Sequence, residues 1–216
     1  MLKKIYLSPL GYLISLIQNI FSFIHRPFMV YGFYNSVQSR FMKYTRISSS
    51  VKIMSKNKFN AYDNVWIGHY SLIDASNNVT IKEGVQTGSH ISIFSHSSHN
   101  SIRLLGKNYL NDNLRIGYIK GSVEIGEYTF IGTSSVLFPG VKIGKGSLIK
   151  AGSIVTKSFP NYSIIGGNPA KQIGSTFELD EKYFKDKHIQ DNYYDNSLIE
   201  KWMIENKENL NADTIS

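Results

Sequence analysis

Six histidines, His25, His69, His90, His96, His99 and His188, are the side chains best suited to move a proton near neutral pH. Two of them, His96 and His99, lie in the phrase ISIFSHSSHN at the head of a polar and aromatic stretch, residues 95–121. A neutral imidazole there could act as general base, because a hydroxyl is a poor nucleophile until its proton is taken. His90, His96 and His99 are also close enough in sequence to be weighed as a three-histidine metal set. The chain has no cysteine, which excludes disulfides, thiolate metal sites and cysteine nucleophiles, and suits a reducing compartment.

What must hold these groups in place is written in the spacing of aliphatic residues. Ile125, Ile131, Leu137, Ile143, Ile149 and Val155 follow one another every six residues without a miss. Gly126, Gly132 and Gly144 come directly after three of them, and the fifth position of each hexad is small: Thr129, Ser135, Val141, Ser147 and Ser153. Six is not the period of an amphipathic helix or of a half-buried strand. It fits a solenoid in which each hexad is one short strand plus a corner, three hexads closing a triangular coil of eighteen residues. The aliphatic points inward, the small residue fits the corner, and glycine is expected to supply backbone freedom at the turn. Ile67, Ile73 and Val79 carry the pattern in one register, and Ile81, Thr87 and Ile93 carry it in another, after a slip of two. Ile47 and Ile53 open the ladder, and residues 95–121 interrupt it. A stretch that long without the repeat, inside a compact domain, is a candidate functional segment.

The 216 residues, 42% hydrophobic and 19% charged, suit one folded domain with appendages and argue against disorder. The net charge of +8 is uneven: residues 1–62 hold nine Lys or Arg and no acid, and the remainder is nearly neutral. No helix-turn-helix, zinc-finger or RNP-like pattern accompanies that charge, so no nucleic-acid partner is expected. Residues 5–24 are uncharged and broadly apolar. Pro9, Gly11, Gln18, Asn19 and three serines weaken a transmembrane reading, and no signal-peptide cleavage motif follows. The spacing predicts a helix that docks on protein or lies at a membrane interface. After residue 174 the repeat stops, and stretches such as 196–210 read as polar helix, with a ragged end near Asn211–Ser216.

The hexads, followed by AGSIVTK, Pro160 and GGNPAK, strongly resemble the hexapeptide-repeat acyltransferases over residues 63–174. That family includes maltose and galactoside acetyltransferases, antibiotic acetyltransferases, and the O-acetyltransferases of capsule and O-antigen. The resemblance implies an all-β fold, a left-handed parallel β-helix, with an N-terminal helical segment, a long excursion loop and a C-terminal helical tail. The boundaries so drawn are residues 1–46 for the basic, apolar helical segment, 47–174 for the β-helix with its excursion at 95–121, and 175–216 for the cap. It also implies a homotrimer with acetyl-CoA in a groove between neighbouring solenoids, contacted by Thr133, Ala151, Thr156, Lys157 and Lys171. Lys157 and Lys171 would offset the phosphates of CoA.

The family carries its catalytic histidine after an aliphatic, aromatic, Ser/Thr phrase before an excursion. Here that phrase leads to His96 and His99, with His99 preferred for its place beside the excursion. Phe130 stands where relatives have Trp, and Arg103 and Tyr109, with Tyr118, are candidates for acceptor contact. Some solenoids of this kind are zinc-dependent carbonic anhydrases, but six residues along a coil reach a different side of the triangle, and NPAK speaks for CoA, so no metal is expected. The implied activity is acetyl transfer to a sugar hydroxyl of a cell-surface polysaccharide (capsule, O-antigen or exopolysaccharide). The alternative is N-acetylation of an amino sugar nucleotide. The expected location is cytoplasmic, with peripheral membrane contact through residues 5–24.

Overall fold

The computed structural model describes Ile5 and residues 7–206. The outermost parts of the predicted N-terminal segment and tail, including the ragged end near Asn211–Ser216, lie outside the described residues. The hexads wind into a three-sided coil of short parallel strands. On face one the inward ladder is Ile47, Ile67, Thr87, Ile131, Ile149 and Ile165. On face two it is Ile53, Ile73, Ile93, Leu137 and Val155. On face three it is Ala61, Ile81, Ile125 and Ile143, with Phe159 bridged to the last of these. Nearly all of these side chains are fully buried, so the core is a column of aliphatics stacked one coil upon the next.

The two registers read from the sequence belong to one coil. Val79 and Ile81 both point inward from the same three-residue strand, Val79–Ile81. The early coils repeat every twenty residues, as Ile53, Ile73 and Ile93 show, because the corner from face two to face three carries two more residues than in the later coils of eighteen. The excursion leaves from this same corner one coil higher, between Ile93 and Ile125.

The hexad glycines act differently from expectation. Gly126, Gly132 and Gly144 keep negative φ, and it is lack of space that selects them. A Cβ on Gly132 would sit 2.3 Å from the backbone nitrogen of Ala151, and one on Gly144 would sit 2.2 Å from that of Asn161. The left-handed corner positions instead fall to residues such as Tyr128, Ser134 and Gly152. The small fifth residues do more than fit. Ser135 and Ser153 donate to the carbonyl of Lys150, and Thr129 and Ser147 donate to that of Gly144, satisfying corner carbonyls that the ladders leave open.

Helix α1 spans Pro9–Ile24, with Ser8 as N-cap and Pro9 in its first turn. The reading of residues 1–46 as helical is corrected beyond it. Strands β1, Met29–Asn35, and β2, Arg40–Ser48, form an antiparallel hairpin joined to face one. Pro27 follows the helix end, and the aromatic and β-branched run after it favours a pleated surface. The Asn35 side chain ties the turn by accepting from the N–H groups of Val37 and Gln38. The excursion contains a short helix, α2, His99–Leu105, above a two-residue antiparallel neck pairing His96 with Lys120 and Ser97 with Ile119.

The tail is helical: α3, Thr176–Asp180, α4, Lys187–Asn192, and α5, Asn196–Glu205. Phe184, Ile199 and Trp202 form its own small core. Three polar contacts lock it to the last coil. Thr176 Oγ1 donates to the Gly146 carbonyl at 2.6 Å, and buried Asp195 meets Lys145 Nζ at 2.6 Å and the Tyr162 hydroxyl. Burial pushes the Asp195 carboxyl up, but the bonds from Lys145, Tyr162 and Ser197 outweigh it and hold its pKa well below the usual carboxylate range. The same bond to Asp195 raises Lys145.

These shifts set the sign of a pH dependence. A depressed carboxyl contributes stability above its unfolded pKa of about 3.9, and that contribution is lost as pH falls through the folded value. Asp195→Asn should lower stability by about 2 kcal/mol at neutral pH, allowing for the partial exposure of Lys145. Thermal melts from pH 7 to pH 2 should show the wild-type advantage shrinking below about pH 4. A constant offset across that range would remove the ion pair from the account.

Candidate active site

The extra residues at the face-two corner build a small polar assembly. Asp74 ends the strand Leu72–Asp74 and is 1% exposed. Its Oδ1 accepts from the Ser76 N–H at 3.0 Å, which fixes the carboxylate within its own turn. Its Oδ2 faces His96 Nδ1, from the coil above. Ser76 Oγ lies 3.0 Å from the same ring nitrogen and 3.3 Å from Ser95 Oγ, and Ser95 Oγ accepts from the Asn77 N–H. Tyr118, returning through the neck, stacks on the imidazole at 5.6 Å with the rings 12° apart. A buried carboxylate against Nδ1 selects the tautomer protonated there and leaves Nε2 as the nitrogen free to take a proton. His96 is about one-third exposed and lines an open cleft of about 320 Å³ with Phe94, Ser97, Ser98 and Phe138.

His99 is placed differently. It is exposed at the first turn of α2, and its Nδ1 lies 2.7 Å from Ser97 Oγ with no carboxylate against it. Arg103 folds back onto its own helix, donating to the His99 carbonyl and to Asn100 Oδ1. Tyr109 connects to His96 indirectly, since the Arg115 guanidinium lies 5.8 Å from its ring centre and 5.7 Å from that of Tyr118. Phe130 is on face one, outward between Gln86 and Leu148, and is not brought to the His96 cleft. Asp74, Ser76 and Arg115 were not among the sequence candidates. The slip of two residues, which lengthens the corner holding Asp74 and Ser76, was the visible trace of that assembly.

The residues matched to cofactor contacts are all exposed, and most flank face two. Thr133 and Ala151 stack in consecutive coils at the corner before it, where Gly152 N–H donates to the Thr133 carbonyl at 2.9 Å. Thr156 and Lys157 follow its last strand, Ile154–Val155, one rung from Phe138, whose N–H donates to the Val155 carbonyl. The Lys157 ammonium lies 5.6 Å from the ring centre of Phe159. Lys171 sits opposite Gly166 on the hairpin that ends face one. His90 stacks on Tyr70, apart from the Asp74–His96 pair and from His99. Among the described residues no three His, Asp or Glu side chains come together as a metal-ligand set.

Fold and site together describe a three-sided parallel coil with an Asp–His pair at the root of an excursion. Known proteins give this class a context. A maltose O-acetyltransferase from Clostridium difficile 630 superposes with a TM-score of 0.50 and 21% sequence identity, over 59% of this chain and 64% of that one. This likeness is one of fold. By sequence, a chloramphenicol acetyltransferase of Morganella morganii is 46% identical over 61 residues, 28% of this chain and 29% of that protein. YvoF of Bacillus subtilis, an acetyltransferase by its provisional name, is 38% identical over 82 residues, 38% of this chain and 45% of that protein. The aligned stretches span less than half the length of these curated relatives. No family profile matches the chain. The resemblance carried by the hexads and the GGNPAK ending holds: the proteins this chain is similar to are acetyltransferases.

Proposed function

We propose that the chain is an acetyl-CoA-dependent O-acetyltransferase that uses His96 as its general base. The observation that carries this reading is the Asp74–His96 pair, whose imidazole lines a cleft with Phe138, itself bonded to Val155 in the rung that leads into Thr156. The acceptor hydroxyl attacks the thioester carbonyl as its proton passes to His96 Nε2. The tetrahedral oxyanion then collapses, the C–S bond breaks, and the imidazolium returns the proton to the departing CoA sulfur. The products are an O-acetyl ester and free CoA, and no covalent enzyme intermediate is needed, in keeping with the lack of cysteine. Asp74 holds the productive tautomer and stabilises the imidazolium.

The donor fits face two. Exposed corner backbone at Thr133 and Ala151 can pair with pantetheine amides, and Lys157 supplies charge for phosphates. These positions are exposed on one chain, and in this reading a neighbouring solenoid of a homotrimer completes the groove, as the family resemblance implies, with Phe130 and Lys171 presented from the adjoining face. The coil is left-handed in this reading, as in the family it resembles. The acceptor is a sugar hydroxyl of a cell-surface polysaccharide, with Tyr109 and Arg103 of the excursion as the residues that meet it. A donor made inside the cell puts the reaction in the cytoplasm.

The test is release of the CoA thiol from acetyl-CoA in the presence of a panel of surface-glycan acceptors. Release dependent on a hydroxyl acceptor is expected. Turnover confined to amino acceptors, or no acetyl-CoA binding at all, would overturn the assignment.

A further inference from the structure

Helix α1 presents a broad, exposed apolar surface. Of its sixteen residues only Gly11 is buried, and Leu10, Leu13, Leu16, Ile17, Ile20, Phe21, Phe23 and Ile24 are all exposed. Around the helix axis Gly11, Ser15, Gln18, Asn19 and Ser22 share a stripe of about 100° and the apolar residues take the remainder. Sixteen residues span about 24 Å, short of the roughly 30 Å of a bilayer core. No helix among the described residues is long and apolar enough to cross a membrane. The hairpin that follows adds exposed aromatic residues, Tyr31, Tyr34, Phe41 and Tyr44, beside exposed Arg40 and Lys43.

We propose that α1 and the β1–β2 hairpin form a docking surface for an anionic lipid bilayer, with α1 lying in the plane of the interface. The charge selects this occupant. Residues 1–62 carry nine Lys or Arg and no acid, whereas the remaining fifteen Lys or Arg face sixteen acids. A surface made only to pack on another copy of this chain has no use for such a cationic excess, which Asp63 beside Tyr44 and Glu83 beside Lys43 offset only in part, and a zwitterionic bilayer does not answer it. Aromatic side chains with polar tips suit the headgroup region, and the uncharged helix supplies the buried apolar area. The binding is independent of the acyl-transfer reading, so either can fail alone.

The experiment is co-sedimentation of the full chain with vesicles of phosphatidylcholine alone, or of phosphatidylcholine mixed with phosphatidylglycerol. It is repeated with the double variant Ile17→Asp, Ile20→Asp and with the pair Arg40→Gln, Lys43→Gln. Because these side chains are exposed, the variants should melt as the wild type does. Binding is expected on the anionic vesicles, weakened by salt and by the hairpin variant, and reduced at least about tenfold by the helix variant at unchanged particle mass. Three results would overturn the proposal: no binding to anionic vesicles at low salt, equal binding by the helix variant, or a fall in its mass by light scattering, which would mean that α1 packs on a second copy.

Discussion

Replacing His96 with alanine should lower acceptor-dependent acetyl transfer by about 10²–10⁴-fold while acetyl-CoA affinity stays within about threefold of wild type. The reason is geometric. Among the described residues only His96 has a buried carboxylate against a ring nitrogen; it lines a cleft, and Tyr118 stacks on its ring. His99→Ala should cost less than about tenfold, since its partner is a serine and it stands exposed on α2. Steady-state rates of thiol release, paired with isothermal titration of acetyl-CoA, separate the two contributions. The reverse ranking, with His99→Ala inactive and His96→Ala active, would restore the order first read from the sequence.

The second large effect is expected at Asp74, a positioning residue. In Asp74→Asn the carboxamide can offer an N–H to His96 Nδ1, which favours the tautomer with its proton on Nε2 and removes the base. Transfer should fall by about 10²–10⁴-fold with little change in KM for the donor. A purely structural role would predict something else: a lower melting temperature and a rate restored by cooling. Two readouts therefore decide it. The melting temperature should move little, since the amide preserves shape, and the pH–rate profile of the residual activity should lose the wild-type acidic limb, the fall in rate that protonation of the base produces. Asp74→Glu, which keeps the charge but lengthens the side chain, should recover part of the rate. Equal activity in wild type and Asp74→Asn would dissolve the Asp–His mechanism.

Much of the scaffold was legible because the constraint behind it is local and repeated. An inward aliphatic every six residues, in a coil that stacks like on like, leaves the same mark at each turn, and Ile125 through Val155 occupy the three ladders as their spacing implies. The terminal GGNPAK phrase lies where the coil gives way to the closing hairpin. Residues 29–48 were not legible, because the basic, apolar composition of the N-terminus masks a change of period from helix to strand at Pro27.

The ordering of His96 and His99 could not be read either. Both stand in one short polar phrase, and what separates them is Asp74, twenty-two residues earlier. The hexad glycines make the same point. Their positions were plain, but whether they relax a turn or admit a neighbouring backbone depends on the distance to the next coil, which spacing within one strand does not contain.

The sequence by itself determined the solenoid, the place of its interruption, the candidate base as one of two histidines, and the concentration of positive charge ahead of the coil. The solenoid, its interruption and the charge are properties of composition or of period, fixed by neighbours along the chain, whereas the narrowing to two histidines came with the family resemblance. Tertiary structure alone decided which imidazole is paired, that the glycines are sites of close approach, and that Lys145, Tyr162 and Asp195 bolt the tail to the last coil. Those facts depend on contacts between coils, where residues about twenty or more apart are brought within hydrogen-bond reach by a stacking distance of about 4.8 Å. A linear pattern records that such stacking occurs, and only the folded chain shows which side chains it brings into contact.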